Sequence, residues 1–331
     1  MENVTHSLVG LALSRAGLNR FCPRATLLLI LSANAPDIDI VSLRNGALRY
    51  LEVHRGYTHS LICLPLMALL AVVVTAAIYR QKLPWIRAWL LCSLGVASHL
   101  LLDWTNSYGV RLALPFSAGW FHLDLNGLFD VWILCVLVLA SIWPSFVNLV
   151  SGEIGDRRST GRGSAILALV FFVLFDLTRV VLHDRAYAQL NARLYDGTAP
   201  LKLAALPNSV SPLRWTGIVE TDRSYLRMPV HCFQPIDERQ AEVFYKPATG
   251  PGLEDAARTP PFRYFQYFAR FPVWSEEPVM LDDEQGKRID LTDLRFGAPG
   301  GGSFHCIAIE NRRNQVLKSW FTYGSGNASS K

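Results

Sequence analysis

Two ionisable residues, His99 and Asp103, lie four positions apart in the segment SLGVASHLLLDWTN, at the end of a long apolar run. On a helix this spacing places both side chains on one face, one turn apart. An imidazole and a carboxylate on one face can bind the same divalent metal ion. A proton relay or a structural hydrogen bond inside a helix bundle is the alternative, although ionisable residues within apolar helices are costly and mark functional sites by default.

Further imidazoles and carboxylates occur in short motifs on both sides of this pair. Asp37 and Asp39 alternate in NAPDIDI, so an extended segment would point both carboxylates the same way and let them share or bridge a metal. An Asx turn is the competing interpretation, because Pro-Asp segments form such turns. The other candidate ligands are His6 in NVTHSLVG, His59 in HRGYTHS, and Asp124 and Asp130 in HLDLNGLFDVW, where the two aspartates alternatively cap a helix.

The motif HRGYTHS carries two histidines, His54 and His59, on either side of an arginine. Their spacing does not put them on one helical face, so we expect one imidazole to bind metal while the other, or Arg55, faces a substrate. An arginine next to a metal can hold phosphate or another anion with its forked guanidinium. We therefore predict His54 and Arg55 as catalytic residues. A plain helix start capped by Thr58 is the alternative.

The apolar residues are concentrated in the first 185 positions of the chain. Of its 331 residues, 50% are hydrophobic and 18% are charged, and the mean hydropathy is +0.21. Four runs approach the length of about 20 residues that crosses a bilayer, at 60–79, 85–102, 128–150 and 164–182. The sequence therefore predicts a multi-pass membrane protein whose N-terminal part is an all-α bundle of about four transmembrane helices.

The pattern changes beyond residue 185. The segment DGTAPLKLAALPNSVSP carries prolines and serines typical of a linker. From Leu213 onward apolar and polar residues alternate, which predicts antiparallel strands in WTGIVETDRSYLRMPVHCF, FRYFQYFARFPVW, KRIDLTDLRFG and FHCIAIENRRNQVLKSWFTYG. We predict a membrane-embedded, helical metal-binding domain at 1–185, a linker at 186–212 and a β-rich soluble C-terminal domain at 213–331.

The cysteine and charge patterns exclude several classes of function. The 6 cysteines form no CxxC pair, which argues against thiolate zinc sites and a disulfide framework. The net charge of +5 comes with no basic tract, so no nucleic acid partner is expected, and affinity for membrane lipid is the milder expectation. There is no HExxH, GxSxG, Walker or GxGxxG motif. The N-terminus MENVTHS lacks the order of a signal peptide, so we expect His6 to remain in the mature protein.

The number of spans places the candidate ligands on one side of the membrane. With four spans, the N-terminal region, the 103–127 loop and the C-terminal domain share one face. The opposite loops RQKLPWIR and GEIGDRRSTGRG carry three basic residues each, whereas the 103–127 loop has only Arg111. The positive-inside rule thus puts the site and the C-terminal domain outside the cytoplasm. The arginines before residue 56, if counted, reverse this orientation.

Five motifs occur in the order found in a known family. They are THxxxG near the N-terminus, PDID, HRGxTHS, SHLLLDWxNxYGV followed by LPFS, and a later LD and FD pair, together covering about residues 1–132. The chain resembles the YdjM-like inner-membrane family of metal-dependent hydrolases, which is distantly similar to zinc-dependent phospholipases C and single-strand-specific nucleases. The resemblance implies a bacterial inner-membrane location and a zinc site. Its implied ligands are His6, Asp37, His59, His99 and Asp103.

The residues and the resemblance together give one functional prediction. We expect a hydrolase with one or two divalent ions, zinc being favoured, that uses metal-activated water on a phosphoester of a lipid or lipid-linked molecule. The predicted ligands are His6, Asp37, Asp39, His59, His99, Asp103 and Asp130. The alternative is a non-enzymatic membrane protein in which the metal fixes the helix ends and the C-terminal domain binds a partner.

Overall fold

The computed structural model describes residues 1–80, 82–154, 159–247, 250–281 and 284–324. Gln81 and residues 155–158, which belong to the two short basic loops of the predicted topology, lie outside the described residues. The chain forms two compact units. The first comprises Met1–Val41, Val53–His183 and Pro207–Pro212, and the second comprises Ser42–Glu52, Asp184–Leu206 and Leu213–Lys331.

The N-terminal half of the chain is helical. Its α-helices are α1 (Asn3–Ala16), α2 (Ala25–Ser32), α3 (Ala47–Val53), α4 (Leu64–Tyr79), α5 (Trp85–Thr105), α6 (Val131–Ile154) and α7 (Arg162–Asn191). Short 3₁₀ helices lie between them at Leu18–Arg20, Ala35–Asn45 and Tyr57–His59. The predicted all-α bundle is confirmed.

Three helices in the described residues are long and apolar enough to cross a membrane: Trp85–Thr105, Val131–Leu149 and Arg162–Asn191. Two bent pairs pass the same test, Ala25–Ser32 with Ala35–Asn45 at 44° and Ala47–His59 with Leu64–Tyr79 at 92°, which brings the number of candidate spans to between three and five. The predicted span at 60–79 therefore becomes a helix that begins at Leu64, with Pro65 in its first turn, after a sharp bend.

The site-bearing helices approach each other closely at two glycines. A Cβ on Gly10 of α1 would lie 2.8 Å from the Leu29 carbonyl oxygen, and a Cβ on Gly95 of α5 would lie 2.1 Å from the Ser32 hydroxyl. Helix α2 is thus packed tightly between α1 and α5, and this positions the Asp37 segment that follows it.

The C-terminal region contains two four-stranded antiparallel sheets. The first has the order β1 (Lys202–Pro207), β2 (Arg214–Glu220), β3 (Ser224–His231), β4 (Glu242–Tyr245), and the second has the order β5 (Pro272–Leu281), β6 (Glu284–Asp293), β7 (Phe304–Glu310), β8 (Val316–Tyr323). The helices α8 (Pro251–Arg258) and α9 (Pro260–Phe268) precede β5. The β-rich character predicted for this region is confirmed.

Two segments differ from the sequence-based expectation. The segment FRYFQYF, predicted as a strand, forms α9, because prolines at its start favour helix initiation and Phe262, Phe265 and Phe268 recur every third residue on one buried face. The segment 186–212, predicted as a linker, contains the end of α7 and strand β1, whose residues Leu203 to Leu206 are buried.

Candidate metal centre

Most of the predicted ligands lie on two short 3₁₀ segments between helices and on one long helix. Asp37 and Asp39 lie on the 3₁₀ segment after α2, and His59 ends the short 3₁₀ helix after α3. His99 and Asp103 lie one turn apart on the buried face of α5, as their spacing predicts. All five residues belong to the first compact unit.

Four of these side chains bring one ligand atom each to a common point. The Nε2 atoms of His59 and His99 are 3.1 Å apart. Asp37 Oδ1 lies 3.4 and 3.7 Å from these two nitrogens, and Asp103 Oδ2 lies 3.5 Å from each. In a tetrahedral zinc site with bonds of about 2.0–2.1 Å the ligand atoms are about 3.3–3.4 Å apart. The observed spacings fit a divalent ion at the centre of the four atoms.

Hydrogen bonds on the outer side of the two imidazoles fix their orientation. His99 Nδ1 donates to the Ala33 carbonyl oxygen at 2.7 Å, so in the neutral ring Nε2 carries a lone pair. His59 Nδ1 lies 3.0 Å from the Thr58 hydroxyl, which donates its own proton to Asp39 Oδ2 at 3.2 Å. With both rings neutral, two lone pairs therefore face each other, and Asp103 Oδ2 has no hydrogen-bond partner among the described residues. A cation satisfies all three atoms.

A second group of possible ligands shares Asp37 with the first. It consists of Asp37, Asp39 and His54. Asp39 Oδ1 lies 3.0 Å from His54 Nδ1, and Asp39 Oδ2 accepts the backbone N–H of Arg55 at 3.1 Å. The side chains of Asp37 and His54 are 12% and 15% exposed, whereas the other ligand atoms are buried. The second group is therefore the more open of the two.

His6 lies against the first group without belonging to it. Its ring stacks on His99 with the centroids 3.8 Å apart, and its Nε2 is 3.5 Å from Asp103 Oδ1, an oxygen that also accepts from the Met1 amine. Neither ring nitrogen has a hydrogen-bond partner in the described chain. Burial, with the neighbouring His99, lowers the pKa of His6 to about 3, so the ring is in the neutral form that metals bind.

The guanidinium of Arg55 is directed differently from the expectation of a substrate-facing group. Its terminal nitrogens donate to Asp103 Oδ1 and to Asn106 Oδ1, each at 2.9 Å, and its plane lies over the Tyr108 ring. The side chain is only 4% exposed. Arg55 therefore neutralises and orients Asp103 from behind, which is a positioning role.

Sequence reasoning missed the partners that hold Arg55 in place. Asn106 follows Asp103 by three positions, and its Oδ1 accepts from both Arg55 and the backbone N–H of Tyr108. The spacing from Asp103 was the available signal, because residues three apart at a helix end are neighbours. The role of Tyr108 had no comparable signal, since its contact depends on the fold of the loop.

Asp130, predicted as a metal ligand, belongs to neither group of ligands. Its carboxylate accepts the backbone N–H groups of Trp132 and Ile133 at the start of α6 and pairs with Arg179 of α7 at 2.7 Å. Both side chains are fully buried. The helix-capping alternative holds, and the ion pair satisfies the charge that a metal was expected to balance.

We expect Asp130→Ala to destabilise the protein while leaving its metal content unchanged. Removing one partner of a buried pair leaves an uncompensated charge, which costs about 3–5 kcal/mol. The midpoint of unfolding in detergent, measured beside metal content, checks this. The double variant Asp130→Ala with Arg179→Met is the control, because removing both charges recovers part of the loss. Metal loss in Asp130→Ala without unfolding would restore Asp130 as a ligand.

The fold and the site together define a multi-pass membrane protein with a buried His/Asp cluster that could hold a metal ion. The chain belongs to the YdjM inner membrane protein family, whose model matches residues 1–186. This confirms the resemblance read from the motifs and the inner-membrane location.

Two relatives are similar to parts of the chain. The uncharacterized protein YfhP of Bacillus subtilis (strain 168) is 32% identical over 209 residues, which are 59% of this chain and 59% of YfhP. The inner membrane protein YbcI of Escherichia coli (strain K12) is 35% identical over 119 residues, which are 34% of this chain and 67% of YbcI. The match thus spans about three-fifths of the length of YfhP. No solved structure matches the chain.

Proposed function

We propose that this inner-membrane protein is a metal-dependent hydrolase that acts on a phosphoester of a lipid or lipid-linked molecule, with one or two zinc ions. The observation that carries the proposal is the sharing of Asp37 between a buried group of four donors and a more open group of three. Carboxylates that bridge two ions, and positions with three protein ligands, are typical of hydrolytic metal sites.

The two groups differ in the chemistry that they support. The buried group has four side-chain donors and no place for water, which suits an ion that holds Asp37 in position. The open group, at Asp37, Asp39 and His54, leaves a coordination position for water. Bound there, a divalent ion lowers the pKa of water and polarises a phosphoryl oxygen.

His54 is the residue of this chain best placed to act on the reacting groups. It is partly exposed, and Asp39 orients its ring through Nδ1. A carboxylate that holds an imidazole in one orientation supports either metal ligation or proton transfer. We propose that His54 acts at the open position, and metal content distinguishes the two roles.

Metal analysis of the purified protein beside Asp37→Ala and His54→Ala tests the proposal. Two ions in the wild type, one in His54→Ala and fewer than one in Asp37→Ala are expected if the open group binds an ion through His54. Normal metal content with lost turnover in His54→Ala would instead assign it proton transfer. A wild-type protein that contains no divalent metal after purification without chelators contradicts the proposal.

A second candidate function, a non-enzymatic one, is favoured by the number of donors in the buried group. Four side-chain donors around one ion are typical of structural zinc sites. In that case the metal fixes the ends of α2, α4 and α5, and the β-rich region binds a partner. One tightly held ion per chain, together with no turnover of vesicle-borne or soluble phosphoesters by the wild type, would support this function over hydrolysis.

We further propose that the site and the C-terminal region face away from the cytoplasm. A count of four spans, which lies within the three to five candidates, and the basic short loops support this orientation. A reporter fused after Lys331 is expected to behave as exported, and one inserted at Gly155 as cytoplasmic; both positions lie outside the described residues. The reverse pattern would move the site to the cytoplasmic face.

A further inference from the structure

Large apolar side chains stand exposed directly beside the candidate metal ligands. On the 3₁₀ segment, Ile38 lies between Asp37 and Asp39, and Ile40 and Val41 follow. The carboxylate of Asp39 is buried while these neighbours point outward, so the segment has a polar inner side and an apolar outer side. Soluble surfaces rarely expose such runs without a partner.

Two further segments extend this apolar surface. Tyr57, Leu61 and Ile62 flank the ligand His59 and are each more than half exposed. The backbone N–H of Leu61 donates to the Leu112 carbonyl oxygen at 3.0 Å, which ties this segment to the loop that carries Phe116. Phe116 is 85% exposed. We call these seven side chains the apolar collar: Ile38, Ile40, Val41, Tyr57, Leu61, Ile62 and Phe116.

Six of the seven collar residues lie within three positions of a candidate ligand in the sequence. Consecutive Cα atoms are about 3.8 Å apart, so a residue one or two positions from a ligand lies within about 8 Å of it along the chain. Asp37 and His59 approach each other to 3.4 Å. The backbones of Ile38 and Leu61 therefore lie close to this pair of ligands, of which Asp37 is the partly exposed one.

The bilayer is the partner that fits the collar. From Thr58 to Tyr79 the chain contains no Asp, Glu, Lys or Arg, although this stretch includes the ligand His59. The collar residues Leu61 and Ile62 lead directly into α4, whose outer face exposes Leu66, Leu69 and Val73. The apolar surface thus continues from a candidate span to the metal ligands with no charged residue between them.

We propose that the apolar collar lies in the bilayer, and that the substrate of the metal centre is an amphiphile that enters from the membrane with its phosphate headgroup directed to the metal position that Asp37 would help to form. This rests on the proposed function for the chemistry, but the contact of the collar with lipid stands independently of any reaction. Moving a large apolar side chain completely out of water is favourable by about 1.5–3 kcal/mol. Burial of the collar in lipid would therefore hold the site at the membrane.

Spin labelling of the full chain in phosphatidylethanolamine and phosphatidylglycerol vesicles tests the contact. The background replaces the exposed Cys135 and the half-buried Cys63 by serine. Single cysteines at Ile40, Leu61 and Phe116 then carry a nitroxide whose relaxation reports collisions with oxygen, which concentrates in lipid, and with a water-soluble nickel chelate. Leu139→Cys on α6 is the lipid reference, and Glu277→Cys on β5 is the water reference. Metal content equal to the wild type confirms folding.

All three collar positions are expected to resemble Leu139, with oxygen collisions exceeding those of the nickel chelate. Collisions like those at Glu277 would overturn the proposal.

A second test compares turnover of two phosphoesters, a long-chain one in vesicles and a short-chain soluble one. The double variant Ile40→Asn with Phe116→Asn should lower the ratio of long-chain to short-chain turnover by about tenfold. An unchanged ratio would overturn the lipid route. If the wild type hydrolyses neither ester, the proposed function fails while the spin labels still decide the bilayer contact.

Discussion

His99→Ala and Asp103→Asn are expected to lose bound metal while the protein remains in the membrane. Each substitution removes one of the four donors of the buried group. Loss of a supporting group lowers metal affinity by about 10–100-fold, and loss of a direct ligand should lower it further. Insertion depends on the apolar runs, which both variants keep. Asparagine is chosen at position 103 because its side-chain oxygen can still accept the hydrogen bond from Arg55, which alanine cannot.

Metal content by elemental analysis, together with the flotation of the protein with membranes, measures this. The matched control is Leu94→Ala, which changes an exposed residue of the same helix α5 and should keep its metal. Full metal occupancy in both ligand variants would show that the four-donor group is not the metal site. Loss of metal in Leu94→Ala as well would show that helix packing, and not ligation, controls the measurement.

The pair on α5 could be predicted because helix periodicity alone places residues four apart on one face. His59 and Asp37 come from bent segments, so their convergence could be expected from the shared membrane face but not their distances. The sharp bend before α4 was not foreseen, because the apolar run at 60–79 does not reveal where within it the helix begins.

For Asp130 and Arg55, the sequence motifs did not reveal the partner of the buried charge. Both were assigned by the chemistry that their side chains can perform, but each is committed to a partner far away in sequence: Asp130 to Arg179 and Arg55 to Asp103. An aspartate before an apolar run fits a helix cap and a metal ligand equally well, and only the position of α7 decides between them. The partner choice of a buried charge is thus a tertiary property.

In the C-terminal region, antiparallel pairing was recoverable from alternation, while the aromatic segment before β5 was not. Phe262, Phe265 and Phe268 satisfy a period of three, yet the tyrosines between them make the same letters resemble an aromatic strand. Pro260 and Pro261 at the start of the segment favour a helix start and were the deciding signal. Strand-like composition therefore misleads where most residues are aromatic.

Arg55→Ala is expected to weaken metal binding by about 10–100-fold, the range for residues that support a ligand from behind. The guanidinium donates to Asp103 Oδ1, while the opposite oxygen of the same carboxylate faces the metal position. Without it Asp103 loses an orienting hydrogen bond and a nearby positive charge, and the Met1 amine remains on the same oxygen. Arg55→Lys should fall between the wild type and Arg55→Ala, because an ammonium keeps the charge but cannot bridge Asp103 and Asn106 as the planar fork does.

Zinc affinity measured by competition with a chelating dye separates this role from the substrate-facing role that the motif suggested. Arg49→Ala is the control, because that arginine is largely exposed and pairs at the surface with Glu52, so its loss should leave the zinc affinity unchanged. Wild-type zinc affinity in Arg55→Ala combined with at least about a hundredfold loss of phosphoester turnover would return Arg55 to the substrate. Wild-type zinc affinity and wild-type turnover in Arg55→Ala would make Arg55 a packing residue, and its contact with Asp103 would then have no role in metal binding or hydrolysis.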